Sequence, residues 1–266
     1  MNLGLDLISK YIGGSLSEPS KNLINSVSTD TRTLKEGALF IALRGENFDG
    51  HTFLAEAEKK GAKGAIVEKG VAIESSVSLP LIWVSDTLRA LQDFAHYYRM
   101  LLPYPILAIT GTNGKTTTKD LIFSIASVAG KYEVTRGNLN NHIGVPLTLL
   151  EFSSDAAGGI LEMGMNHLGE IQRLTEIAMP TGGLITNIGE GHLEFLKSKD
   201  GVFKAKTELW ETMREGSSVI INLDDPFLSS WKSYRDYDRI TFSMKEKRAD
   251  VYLENPHWEG GYWNFD

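Results

Sequence analysis

The stretch ILAITGTNGKTTT, residues 106–118, decides how this chain is read. An apolar run suited to a buried β-strand enters a turn rich in Gly and Thr, and the turn ends in Lys115 and Thr116 where a helical pattern begins. That order predicts a triphosphate-binding loop. Gly111 and Gly114 let backbone amides turn toward phosphate oxygens, with Thr112, Asn113 and Thr117 completing the phosphate-binding set. Lys115 reaches the outer phosphates, and the Thr116 hydroxyl faces Mg²⁺ at the positive end of a helix dipole. Only two residues separate Gly111 from Gly114-Lys115, where the general nucleotide-binding loop has four, so a generic NTPase is not the default.

Upstream of this loop, ALFIAL (38–43), GAIVE (64–68) and PLIWVS (80–85) read as strands, and HTFLAEAEKKGA (51–62) reads as a helix stopped by Gly61. Asp86 caps a second helix through Leu101, and Pro103 and Pro105 then break the chain. Downstream the alternation resumes. A helix from Lys115 to about Ala129 leads to a short strand near 132–135, a turn-rich loop GNLNNHIGVP and a helical stretch around Leu147. GGILEM (158–163) and GGLITNI (182–188) read as parallel strands joined by a crossover helix, followed by helix 200–214 and strand SVIINL (217–222). RITFSM (239–244), DVYLEN (250–255) and GYWNFD (261–266) read as antiparallel strands or hairpins, the chain stopping inside the last of them. The expected architecture is α/β: a small N-terminal α/β domain over 1–103, then a phosphate-loop domain over 104–266, mostly parallel with added antiparallel strands and incomplete at its C-terminus.

Bulk properties narrow the partners. At 266 residues two domains are expected. No apolar run reaches membrane length and no secretory leader is visible, so the expectation is a cytoplasmic protein with no membrane partner. Without cysteine, thiol catalysis and disulfides are excluded. A formal charge of −7 argues against nucleic acid, so an anionic ligand needs a local cluster of positive groups.

In a doubly wound sheet, ligands gather at the carboxyl ends of the strands. Glu162 ends GGILE, where its carboxylate either reaches the Thr116 cation or caps a turn. His192 follows LITNI through a GEG turn, and taken alone reads as a surface residue or a metal ligand. Lys206, in FKAKTEL, reads by itself as part of a solvated helix face.

Taken together, GTNGKTTT, GNLNNHIGVPLTLL, EMGMNHLGEI, TNIGEGHLEFL and AKTEL, in this order, closely resemble the Mur ligase family over residues 107 to about 225. STDTRTLKEGALFIALRGENFDGHTF (28–53) is similar to the uridine-binding domain of some of its members. The resemblance implies ATP-driven amide formation, with ATP and Mg²⁺ as cofactors. Within the family the wording is nearest to the member that adds D-alanyl-D-alanine to a UDP-N-acetylmuramoyl-tripeptide in peptidoglycan precursor synthesis. A carboxylate of the UDP-linked peptide attacks the γ-phosphate, and an incoming amine captures the acyl phosphate.

By the same resemblance Lys115 and the loop hold the β and γ phosphates, and Thr116 and Glu162 hold one Mg²⁺. His192 and Lys206 support a second, Lys206 as a carbamate formed with CO₂. Asn140 and Asn141 match an asparagine loop near the acyl phosphate. Thr31, Arg32, Asn47 and His51 are expected at the uridine diphosphate, with Asp30 organising the turn. The family's third domain, which binds the amine and closes over ATP, has no counterpart in the sequence, so turnover by this chain alone is not expected. A monomer is expected. A sister ligase adding a diamino acid or lysine, and a noncatalytic UDP-sugar-peptide binding module, stay open.

Overall fold

The computed structural model describes every residue except Asn47, Phe265 and Asp266, and the backbone only of 262–264. The chain divides into two compact units, one of residues 1–103 with 142–155, the other of 104–141 with 156–266. Among the described residues, no helix is long and apolar enough to cross a membrane.

The first unit contains β1 (Leu3–Gly4), α1 (Leu5–Tyr11), β2 (Ser15–Leu16), β3 (Leu23–Ile24), β4 (Ser26–Ser28) and β5 (Ala38–Ile41). A 3₁₀ turn (Gly50–Phe53), α2 (Leu54–Lys59), β6 (Gly64–Glu68), β7 (Leu81–Val84) and α3 (Thr87–Leu101) follow. Strands β4, β5, β6 and β7 run parallel, and β2 is added antiparallel at the β7 edge. The Asp86 carboxylate accepts the Arg89 amide at 2.9 Å and starts α3, as its position before an apolar helical pattern requires. β5 is buried along its whole length because helices cover both faces of a parallel sheet.

The second unit begins with β8 (Ile106–Thr110), α4 (Lys115–Ala129) and β9 (Tyr132–Val134). The next helix, α5 (Gly144–Glu151), packs on α3 and belongs to the first unit, so residues 142–155 leave the 104–266 span. β10 (Gly158–Glu162), α6 (Glu170–Ala178), β11 (Gly182–Ile185), α7 (Leu193–Leu196), α8 (Lys199–Thr212), β12 (Ser218–Asn222), α9 (Pro226–Ser229), β13 (Asp238–Ser243) and β14 (Val251–Tyr252) complete a seven-stranded sheet. Its order is β14-β13-β12-β11-β8-β10-β9, parallel throughout. β15 (His257–Glu259) and β16 (Tyr262–Asn264) form an antiparallel hairpin.

Here the structure corrects the sequence reading of 239–244 and 250–255, whose strands are parallel and not antiparallel. The β12–β13 connection holds α9 and is long enough for a parallel crossover. β14 is pinned by a side chain, since Asp250 accepts from both the amide and the hydroxyl of Thr241, at 2.8 and 2.6 Å. Among the described residues, the hairpin that forms near the end is the one involving 262–264; Phe265 and Asp266 lie outside the described residues.

β8 sits where the winding reverses. The chain leaves it toward β9 and returns past it from β10 to β11, so the carboxyl ends of β8, β10 and β11 surround one crevice. Trp210 holds α8 on the sheet: it is fully buried, and its indole donates to the Gly183 carbonyl at 2.9 Å. A Cβ on Gly183 would meet the Met213 sulfur at 2.6 Å, so this close approach requires glycine.

Candidate active site

The loop after β8 is held by the loop after β11. Gly111 has φ 147°, and a Cβ there would lie 1.8 Å from the Thr186 hydroxyl. That hydroxyl donates to the Asn113 carbonyl at 2.6 Å, and the Thr112 hydroxyl accepts the Gly189 amide at 2.8 Å. Asn187 binds the loop three times: its carbonyl accepts from the Thr112 amide, its Oδ1 from the Asn113 amide, and its Nδ2 donates to the Asn113 carbonyl. The amides of Thr112 and Asn113 are therefore occupied within the protein, which differs from the phosphate-binding role expected of these two residues. Groups facing an anion come instead from the first turn of α4, whose amides have no intrahelical acceptors. Gly114 starts that turn with φ 80°, and Thr117 is exposed on it.

Lys115 folds back over the loop and donates to the carbonyls of Gly111 and Thr112 at 2.8 and 3.1 Å. Burial lowers its pKa, while the neighbouring Glu162 carboxylate acts in the opposite direction. Glu162 is 2% exposed at the end of β10. Its Oε2 accepts from the Thr116 hydroxyl at 2.8 Å and its Oε1 from Asn140 Nδ2 at 2.8 Å. Asn140 thus serves the carboxylate directly, and Asn141 follows it in an exposed position.

His192 and Lys206 join the same crevice. Burial lowers the His192 pKa, with the charges of Lys206 and Lys115 adding to it and Glu170 opposing. Lys206 is 2% exposed, the reverse of a solvated helix face. Burial, reinforced by Lys115, brings its pKa down to about 7. His192 itself adopts a left-handed backbone, φ 55°, at the start of α7.

Two carboxylates that the sequence reading did not single out order this region. Glu208, one turn or less from Lys206 on α8, accepts the amides of Gly169 and Gln172 at 2.7 and 3.1 Å and so caps α6. Glu170 accepts the Asn166 amide at 2.6 Å and faces His167 Nδ1 at 3.3 Å. Their place beside EMGMNHLGEI and AKTEL was the available signal.

In the first unit a cleft of about 480 Å³ is lined by Thr31, Arg32, Phe40, Phe48, Phe53 and Glu56, among others. Arg32 is held in the wall by Asp30, whose hydrogen bonds from Arg32 lower its pKa to about 2. Thr31 is buried there and its carbonyl accepts from Lys60. Asn47 lies outside the described residues.

His51 is not available to a ligand, contrary to expectation. Its Nδ1 faces Asp49 at 2.5 Å and its Nε2 accepts the Glu68 amide at 3.0 Å, so both ring nitrogens are occupied. His51 instead ties the 44–50 loop to the end of β6, where Arg44 also bridges Asp49 and Glu68. Replacing it by phenylalanine keeps the volume but leaves the Glu68 amide without an acceptor. A loss of about 1–3 kcal/mol in urea unfolding is expected; an unchanged midpoint would contradict the tie.

Comparison with known proteins matches residues 109–260 to the Mur ligase middle domain and residues 23–99 to the Mur ligase family catalytic domain. A UDP-N-acetylmuramoyl-tripeptide--D-alanyl-D-alanine ligase of Bacillus subtilis is 39% identical over 84% of this chain and 49% of its own length. The protein of that name from Escherichia coli is 34% identical over 97% of this chain and 56% of its own. Among solved structures, MurF from Acinetobacter baumannii covers all of this chain and 58% of its own, at TM-score 0.88 and 29% identity. MurF ligase from Thermotoga maritima in complex with ADP covers 93% of this chain and 56% of its own, at TM-score 0.80 and 26% identity. The chain spans about half the length of the curated relatives it matches.

Proposed function

This chain belongs to the Mur ligase family, and on that premise we propose that it carries the ATP and UDP-peptide sites of a D-alanyl-D-alanine-adding ligase of peptidoglycan precursor synthesis. The observation that carries the reading is the 2.8 Å contact between the Thr116 hydroxyl and the Glu162 carboxylate beside the start of α4. Neighbouring oxygens in an octahedral magnesium shell stand about 2.9 Å apart, so this pair fits one edge of such a shell. Among the described residues no three His, Asp or Glu side chains converge. A cation shared between a few protein oxygens and nucleotide phosphates suits that sparse set. The names of the relatives, and the ADP in the Thermotoga structure, support the same assignment.

The reaction must bring a peptide carboxylate against a triphosphate, two anions that repel. Magnesium, when bound, offsets that repulsion and the charge that develops during transfer. Lys115 exchanges its two carbonyl partners for phosphate oxygens, a short movement from its present place over the loop. The carboxylate oxygen bonds to the γ-phosphorus as the bond to ADP breaks. The amine of D-alanyl-D-alanine then attacks the acyl carbon and phosphate leaves.

Lys206, with a pKa about 7, is substantially unprotonated at neutral pH. In that form the neutral amine can add CO₂ and lose a proton, which gives an anion whose charge the neighbouring Lys115 favours. His192 stands with it at this second position. The uridine diphosphate portion of the acceptor is assigned to the cleft of the first unit, with Thr31 and Arg32 in its wall. We place the reaction in the cytoplasm, where UDP-linked precursors and ATP coexist.

Calorimetry with ADP tests the reading. Magnesium should tighten binding to the wild-type chain, and Glu162→Gln should remove that dependence. Magnesium-indifferent binding by the wild type would overturn the assignment.

A further inference from the structure

Lys119 has no role in the chemistry above, yet it is the only α4 residue among those described to be fully buried. A buried ammonium is costly unless it is fixed by partners, and an apolar residue on this face would be cheaper for folding alone. The Lys119 ammonium donates to the Thr135 carbonyl at 2.9 Å, just past the end of β9, and the adjacent Asp120 balances its charge at 3.1 Å. Thr135 is 1% exposed, and its hydroxyl accepts the Glu162 amide at 2.9 Å.

Thr116 and Lys119 lie one turn apart on the same face of α4. The helix therefore grips Glu162 twice: through Thr116 at the carboxylate, and through Lys119 and Thr135 at the backbone. From this geometry we infer that Lys119 is a positioning residue, which sets the height of the Glu162 carboxylate against the Thr116 hydroxyl by way of Thr135. The inference rests on the magnesium reading of the Thr116–Glu162 pair. Outer partners of this kind orient metal-binding side chains, and losing one costs about 10- to 100-fold in metal affinity. A merely structural lysine would weaken the fold without changing the metal response.

The test is ADP calorimetry on the 266-residue chain, in EDTA and across a magnesium titration, for the wild type, Lys119→Met, Thr135→Val and Thr135→Ser. The expected result is unchanged ADP affinity in EDTA for every variant. The apparent magnesium affinity of Lys119→Met and Thr135→Val should fall at least about tenfold, and Thr135→Ser, which keeps the hydroxyl, should respond like the wild type. If Lys119→Met fails to fold, seen as lost binding in EDTA, the two Thr135 variants decide. A wild-type magnesium response in Thr135→Val overturns the positioning role while leaving the magnesium site standing. A wild type without any magnesium response overturns the site, and the inference with it.

Discussion

Gly111→Ala is expected to abolish nucleotide binding and to destabilise the second unit by about 2–4 kcal/mol. The new methyl would sit 1.8 Å from the Thr186 hydroxyl and 3.0 Å from the Thr186 amide nitrogen, on a backbone at φ 147°. Side chain, main chain and dihedral angle all oppose it, so a rotamer change cannot relieve the clash. Thr186 would have to release the Asn113 carbonyl, and the brace from Asn187 to Thr112 and Asn113 would shift with it. The start of α4 would then lose the fixed amides that an anion needs. Urea unfolding and ADP calorimetry check the two parts; wild-type values in both would show that the loop does not depend on this contact.

The second large effect is a dependence of stability on pH. Lys206 has a folded pKa of about 7 against an ordinary value of 10.5. Between those values the unfolded chain binds the additional proton, so stability rises with pH across that window. The cost of burying the ammonium is complete below about pH 7 and fades toward pH 10.5. Lys206→Met removes this contribution. The variant should gain on the wild type most at pH 6, and the gain should shrink above neutrality with a slope approaching about 1.4 kcal/mol per pH unit. Denaturant unfolding in CO₂-free buffer from pH 6 to 9.5 measures it, free of any adduct at the amine. Parallel profiles for the two proteins would mean that Lys206 is not held as a buried amine.

Much of this site was legible because its chemistry is local. Strand, glycine turn, lysine, hydroxyl and helix follow one another within residues 106–118, and each constrains the next through backbone geometry. Glu162 was found because strand ends in a doubly wound sheet converge whatever their separation in sequence. Lys206 was misread in isolation because its burial comes from packing that no helical period reveals: α8 lies against α6, β8 and β11. The Asn187 brace joins residues 74 apart through side chain and backbone, and nothing in an Asn-Ile pair announces it. Strand direction at β13 was equally hidden, since an apolar run has the same appearance whichever way its neighbour runs. His51 shows the converse. The family resemblance put His51 at a ligand, and only the occupancy of both nitrogens revealed its structural use.

At residue 192 the main chain and the side chain favour different amino acids. A φ of 55° is a conformation that glycine enters freely and asparagine tolerates. A library ranked only by thermal resistance should therefore drift toward glycine there and shed the imidazole, whereas one ranked by magnesium-dependent nucleotide binding, the role proposed for His192, should hold histidine against that drift. The two screens would diverge at this codon, so their disagreement, read across the whole chain, offers a map of where chemistry has overruled folding.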